Sequence, residues 1–257
     1  MSARALGAVR AGDAGSLAAR AAFLPRAVAG AAGVAAALAW GAVDSVRGRE
    51  PHTFALRFTR IFHRLVCPAL NISVDIRGGE ILDAARPCVF VANHQSYIDY
   101  PILSALFPRD TTVVGKRELG RYPVVGWLYR RAGQVLIDRD RPRAARETLD
   151  AVTEAVRTRG ISAFVFPEGT RASRRGELLP FKRGAFDVAI RAGVPVVPIV
   201  VAPLKPRTEL RRGRLLPHRV RIVVDEPIAT TGLTVDDARD LAARVRQRMQ
   251  QTLDSLA

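Results

Sequence analysis

The sequence predicts an α/β fold: a largely parallel central sheet flanked by helices, with an N-terminal membrane-associating helical pair ahead of it. Three observations carry that prediction. From about residue 72 onward, short apolar runs alternate with helical patterns. The runs are β-branched and apolar at successive positions, as in strands covered on both faces. Residues 1–50, by contrast, are rich in alanine and glycine and unlike the rest of the chain. A chain of 257 residues, 48% hydrophobic and 25% charged, can build a substantial core, which excludes global disorder. The expected division is a helical region over 1–70 and an α/β domain over 71–257.

The elements follow in order. Residues 27–43, "AVAGAAGVAAALAWGAV", carry no charge. As a helix they would run about 25 Å, a little short of a hydrocarbon core of about 30 Å, and alanine and glycine contribute little transfer energy. Arginines flank the stretch on both sides, so charge gives no orientation. The reading is a membrane-associating helix, shallow or re-entrant, with a full span as the alternative. Residues 52–70 place Phe54, Phe58, Ile61, Phe62 and Leu65 at helical spacing, with Arg57, Arg60 and Arg64 on other faces. Such a basic amphipathic helix either binds a lipid surface or packs on the following domain, and arginines beside an aromatic stripe favour the lipid.

Strands are expected at 88–93, 111–115, 134–138, 162–167, 194–201 and 219–224. Helical patterns lie between them at 97–107, 123–132, 141–159 and 182–192, with a last one at 234–255. Pro195 and Pro198 suggest a strand start and a bulge or edge, because proline cannot donate to a ladder.

Charge narrows the partners. Forty Lys+Arg against 24 Asp+Glu leave +16, mostly arginine, which suits an anionic membrane surface, nucleic acid, or acidic substrates and carriers. Aromatics are only 6% and no nucleic-acid motif is present, so no nucleic acid is expected. Two cysteines, Cys67 and Cys88, make no disulfide framework and point to a reduced cytosolic environment. No spacing of Cys and His suggests a metal site.

In α/β sheets, functional groups collect where strands end. His94 ends the run "CVFVAN", Lys116 ends "TTVVG", and Glu168, Gly169, Thr170 and Arg171 follow "SAFVF". Histidine is the natural general base near neutral pH, and Asp99 is the nearest acidic group to orient it. On a regular helix the two would stand about 140° apart, so they meet only if His94 lies in the loop and Asp99 in the first helical turn. A histidine beside a helix-capping aspartate would read the same. Arg171 offers a fork for phosphate or carboxylate and Lys116 a point charge, yet a polar turn and a solvated basic patch fit those residues equally. Ser96 as a nucleophile lacks the Gly-x-Ser-x-Gly elbow.

Taken in order, "NHQSYID", "GKRELGRYPVVGW", "FPEGTRA" and "VPVVPIV" resemble the four sequence blocks of the glycerolipid acyltransferases, in particular the bacterial 1-acyl-glycerol-3-phosphate acyltransferases. The blocks span residues 91–201. The resemblance implies that His94 is the general base and Asp99 its partner. It implies that Lys116, Glu168, Gly169, Thr170 and Arg171 hold the phosphate of the acceptor, and that Pro198 is architectural. It also implies a lysophospholipid acceptor, acyl-CoA or acyl-carrier protein as co-substrate, and no metal or bound cofactor. Relatives acylate glycerol-3-phosphate, lysophospholipids or ornithine lipids. The expected location is the cytoplasmic face of the cell membrane, as a peripheral or monotopic protein. Backbone amides of the "NHQS" turn are the expected donors to a tetrahedral oxyanion.

Overall fold

The computed structural model describes residues 4–171, 177–204 and 207–256. Two helices open the chain. Helix α1 (Arg4–Ser45) is continuous through Pro25, and its segment Ala22–Ser45 is long and apolar enough to cross a membrane. From residue 22 onward its two faces differ. Gly30, Ala37, Gly41 and Asp44 are buried, while Leu24, Val28, Ala32, Ala35, Ala39, Ala42, Val43 and Val46 are exposed on the opposite side. Between residues 22 and 45, where its side chains are described, the helix therefore has no polar face to turn to water, a pattern that soluble surface helices avoid.

Helix α2 (Pro51–Ala69) runs back along the small-residue face. A Cβ on Gly33 would sit 2.8 Å from the Leu65 carbonyl oxygen, and one on Gly41 3.0 Å from the Phe58 ring, so glycine is what lets the helices approach. The aromatic stripe of α2 faces inward, contrary to the lipid-binding expectation. Phe54 and Phe58 are buried and stacked, and Trp127 packs edge-on against Phe54. The periodicity was that of packing against a neighbour. Leu65 is an exception, exposed at 38%. At the hairpin's turn the fully buried Asp44 carboxylate accepts from Arg47, Arg49 and Arg57.

The α/β part begins with β1 (Ile72–Arg77) and a turn of helix, α3 (Ile81–Ala84). Then come β2 (Val89–Ala92), α4 (Asp99–Leu103), β3 (Thr111–Lys116), α5 (Pro123–Arg131) and β4 (Val135–Ile137). Next are α6 (Pro142–Arg159), β5 (Ser162–Val165), α7 (Gly184–Ala192) and β6 (Val196–Val201). A small antiparallel pair, β7 (Thr208–Glu209) and β8 (Arg214–Leu215), precedes β9 (His218–Val224) and α8 (Ala238–Ser255). All the expected strands and helices are present, most with shorter ends, while β3 and β9 each run one residue longer than expected. β1 was not anticipated: "ISVDIR" alternates, as suits an edge strand that is only part-covered.

Seven strands form one sheet in the order β1-β9-β6-β2-β5-β3-β4. The five from β6 to β4 are mutually parallel; β9 is antiparallel to β6 and parallel to β1. Every residue of β2 is buried. Val89 and Val91 face the core beneath α6, α7 and α8, whereas Phe90 and Ala92 face the core shared with α2 and α4. Each such fully buried valine or phenylalanine contributes roughly 1.5 to 3 kcal/mol. Because Val66, Cys67 and Leu70 belong to that second core, α2 is tied to the sheet rather than hung from it. Arg26 Nη1 donates to the Leu215 carbonyl at 2.8 Å and pins α1 to β8. Cys67 and Cys88 are free and buried, their thiols pushed up to about 12 by burial.

Pro198 lies in an interior strand, not at an edge. The antiparallel register of Val196 with Ile228 is offset by one residue from that of Ile199 with Val224, so the chain bulges opposite Pro198. The proline's missing donor falls at that irregularity.

Burial pushes the Asp44 carboxyl up, but the hydrogen bonds from Arg47, Arg49 and Arg57 outweigh it and hold the group below its ordinary 3.8. A depressed carboxylate stabilises the fold above the unfolded pKa and loses that contribution as pH falls through the folded one. Asp44→Asn is expected to cost about 1 to 2 kcal/mol at pH 7, a figure reduced because the arginines are half-exposed. The difference between variant and wild type should shrink below pH 3.8. Thermal melts followed by tryptophan fluorescence check it, since Arg57 lies 5.5 Å over Trp40 and Trp127 is in the same cluster.

Candidate active site

The parallel strands β6, β2, β5, β3 and β4 all end at one edge of the sheet, and β2, β5, β3 and β4 deliver polar side chains there. Beyond β2, Asn93 is buried and clamps β6: its Nδ2 donates to the Val201 carbonyl at 3.0 Å and its Oδ1 accepts from Val201 N–H at 2.8 Å. Gln95 extends the clamp, donating to the carbonyls of Val201 and Ala202 and accepting from Leu204 N–H. Between these two fixed residues stands His94.

His94 Nδ1 donates to Asp99 Oδ2 at 2.7 Å. The same oxygen accepts from Gln95 N–H at 2.6 Å and Ser96 N–H at 2.9 Å. His94 lies in the loop and Asp99 opens α4, the one arrangement in which a five-residue separation allows contact. A carboxylate acceptor on Nδ1 fixes the proton there and leaves Nε2 with its lone pair. Nε2 has no hydrogen-bond partner among the described residues. The ring is packed against Phe166, with centroids 4.3 Å apart, and edge-on to Tyr100 at 5.8 Å. An imidazole with one nitrogen held by a buried carboxylate, its ring fixed by aromatic neighbours, can take a proton from a hydroxyl.

Glu168 is buried and turned inward. Its Oε1 accepts from His94 N–H at 2.9 Å and its Oε2 from Leu179 N–H at 3.0 Å. Burial pushes its carboxyl up, opposed by those two donors. It joins the loop after β5 to the histidine's backbone, which is the geometry of a positioning group. The amides of His94, Gln95 and Ser96 are thus all engaged by Glu168 and Asp99. The expectation that this turn offers them to an oxyanion does not fit: the same donors are needed to hold the pair together.

Gly169 adopts φ +71°, and a Cβ there would lie 2.9 Å from Lys182 Cε, so glycine is required and a further cation lies across the loop. Thr170 is exposed. Arg171 is also exposed; its guanidinium carbon stacks 3.7 Å over the Tyr97 ring, and Nη2 donates to the Tyr97 hydroxyl at 2.9 Å. Lys116, at the end of β3, pairs with Glu118 at 3.3 Å. Arg139, one turn beyond β4, was not anticipated. It is half-buried, donates to the Gly169 carbonyl and lies near Glu118, Tyr100 and Tyr129. Its signal was present as the first arginine after an expected strand end, the criterion that singled out Lys116. Among the described residues no cluster of three His, Cys, Asp or Glu side chains could hold a metal ion.

A hydroxyl-activating His–Asp pair at the carboxyl edge of a parallel sheet, ringed by arginine and lysine, defines a group-transfer site for an anionic acceptor. Residues 73–202 match the acyltransferase family, and this chain belongs to it. The 1-acyl-sn-glycerol-3-phosphate acyltransferase alpha of Homo sapiens is 35% identical over 210 residues, 80% of this chain and 72% of that one. The 1-acyl-sn-glycerol-3-phosphate acyltransferase of Escherichia coli is 36% identical over 201 residues, 77% and 80% of the two chains. Among solved structures, the 1-acyl-sn-glycerophosphate (LPA) acyltransferase PlsC of Thermotoga maritima superposes with a TM-score of 0.73 over 92% of this chain and 98% of that one. At 23% identity that likeness speaks for the fold.

Glu168→Gln should separate fold from chemistry. Glutamine keeps one acceptor oxygen and presents an NH₂ to the second backbone donor, leaving a buried N–H unpaired. A loss of about 1 to 3 kcal/mol in stability is expected, together with at least a tenfold drop in turnover as the His94 backbone shifts. Thermal unfolding and single-turnover rates measure the two.

Proposed function

We propose that this protein is a 1-acyl-sn-glycerol-3-phosphate O-acyltransferase, moving a fatty acyl group from an acyl thioester to the free sn-2 hydroxyl and yielding phosphatidic acid. The His94–Asp99 contact of 2.7 Å carries the reading. His94 Nε2 takes the proton from the acceptor hydroxyl as its oxygen attacks the thioester carbonyl. Asp99 holds the tautomer and stabilises the imidazolium that forms. Collapse of the tetrahedral intermediate expels the thiolate, to which the imidazolium returns the proton. Arg171, Lys116 and Arg139 hold the acceptor's phosphate, with Gly169 and Thr170 shaping the loop and Glu168 aligning the histidine. Their contribution is positioning, which raises the effective concentration of the hydroxyl beside the base. No step requires a metal or bound cofactor. The donor is acyl-CoA or acyl-carrier protein, both acidic and suited to a chain of charge +16.

The acceptor is amphiphilic, so the cleft must meet a bilayer. The exposed apolar face of α1, Leu24 to Val46, is the surface offered to it, and arginines favour the anionic cytoplasmic leaflet. Attachment is peripheral or monotopic on this reading, through one face of a helix whose other face is engaged by α2.

His94→Ala should abolish transfer without unfolding the protein, and Asp99→Asn should lower kcat by several orders of magnitude through loss of the tautomer. Near-normal turnover by folded His94→Ala protein would refute the mechanism. The assay is acyl transfer by purified protein against a panel of acceptors with both donors.

For the membrane, the double variant Val28→Glu, Val43→Glu alters the outward face without touching the α1–α2 contact. It should weaken vesicle binding at least tenfold and lower turnover of bilayer-embedded acceptor, with little effect on a short-chain soluble one. Vesicle flotation and parallel assays decide; unchanged flotation defeats the attachment.

A further inference from the structure

Glu118 is an acidic group among the site's cations. Its Oε1 pairs with Lys116 Nζ at 3.3 Å, and Arg121 and Arg139 lie close enough to act on it. Its Oε2 is shielded from solvent and has no hydrogen-bond partner among the described residues. Its own backbone N–H and Lys116 hold the carboxyl below the usual carboxylate range, although partial burial opposes them. It is therefore an anion at neutral pH, held by one long ion pair to a half-exposed lysine. Arg139 ties this group to the histidine's surroundings, since it binds the Gly169 carbonyl and faces Tyr100, which packs on His94. A carboxylate in that place competes with any anion that would bind Lys116 and Arg139.

We propose that Glu118 is an internal anion that sets the charge required of the acceptor, admitting a dianionic phosphate monoester and disfavouring a monoanionic phosphodiester. The inference rests on the acceptor subsite assigned above and names the residue that makes it selective. Lys116, Arg139 and Arg171 are the cations assigned to the acceptor's phosphate, and Glu118 offsets one of their charges. A phosphate monoester carries nearly two negative charges at pH 7 and gains by displacing a single carboxylate. A diester carries one and gains nothing from the exchange. Selectivity arises from a repulsive element as much as from attractive contacts.

The experiment compares full-length wild type, Glu118→Gln and Glu118→Ala, with thermal melts to verify that each is folded. Acceptors are short-chain, water-soluble lysophosphatidate and the matching lysophosphatidylmethanol, a monoanionic diester. Removing the carboxylate should lower the KM for lysophosphatidate by about two- to fivefold, the scale of one half-exposed ion pair. It should raise kcat/KM for the diester by more, narrowing the ratio between the two acceptors. An unchanged ratio overturns the proposal. So does a higher KM for the monoester, because Glu118 would then serve only to position Lys116. Calorimetric titration with inorganic phosphate runs alongside and needs no turnover. Tighter phosphate binding in both variants supports the internal anion even if wild type transfers to neither acceptor, an outcome that would defeat the proposed function instead. Equal phosphate affinity in all three proteins overturns the inference even where wild type is active.

Discussion

One carboxylate oxygen organises the active edge of this protein. Asp99 Oδ2 receives the His94 ring N–H and the amides of Gln95 and Ser96, all within 2.9 Å. Three donors on one buried oxygen place substantial positive charge around it, which compensates for taking the group out of water. The turn after β2 folds around that oxygen, and α4 starts from it. Removing the charge would free the turn as well as the ring, so stability and chemistry share a group here. Glu168 repeats the device at longer range, joining the backbone of His94 to that of Leu179 and so coupling the β2 and β5 loops. Between them the two carboxylates determine where the histidine stands and which nitrogen it presents.

The N-terminal hairpin obeys a different constraint. Residues between Arg26 and Asp44 carry no charge, so amphipathicity cannot orient α1. Side-chain size orients it instead. Gly30, Gly33, Ala37 and Gly41 make the face that α2 can approach, and the larger Leu24, Val28, Val43 and Val46 are left on the other. Close approach through small residues is the mode by which helices associate where water gives no hydrophobic drive, and here it operates beside a sheet with an ordinary apolar core. The buried Asp44, with three arginines on it, terminates the apolar stretch.

How much of this could be read from residues alone depends on whether the deciding contact is local. The buried strands were legible because both faces are covered and the β-branched run is continuous, as in "VFVA" and "VVPIVV". β1 was not, since its partner β9 arrives from the far end of the chain and only one side of "ISVDIR" is covered. The pairing of His94 with Asp99 was readable as a condition, that one lie in the loop and the other on the helix. The inward turn of Glu168 was not, because its two partners are backbone amides that any sequence possesses. Arg139 stood at an expected strand end, but its contact is with the Gly169 carbonyl, again a backbone group that no residue type announces. The aromatic stripe of α2 carries the same periodicity whether it meets lipid or Trp127, and only the packing distinguishes them.

The engagement of the amides after β2 has a consequence for catalysis. A tetrahedral intermediate needs donors aimed at its oxygen, and those of His94, Gln95 and Ser96 already serve the two carboxylates. Among the described residues this loop also carries side-chain charge: Arg171 against Tyr97, Arg139 against the Gly169 carbonyl, and Lys182 across Gly169. Exposed guanidinium and ammonium groups stabilise an oxyanion weakly in water and strongly once water is displaced. Among the described residues, Tyr97, Thr170 and Arg171 are exposed at this edge. Its electrostatic strength therefore depends on what covers that edge during turnover, and an amphiphilic acceptor in a bilayer, together with the acyl chain of the donor, would provide such a cover. On the proposed attachment, the apolar face of α1 and these cations would serve one end, because bringing the sheet edge to the lipid surface would also remove the water that screens those charges.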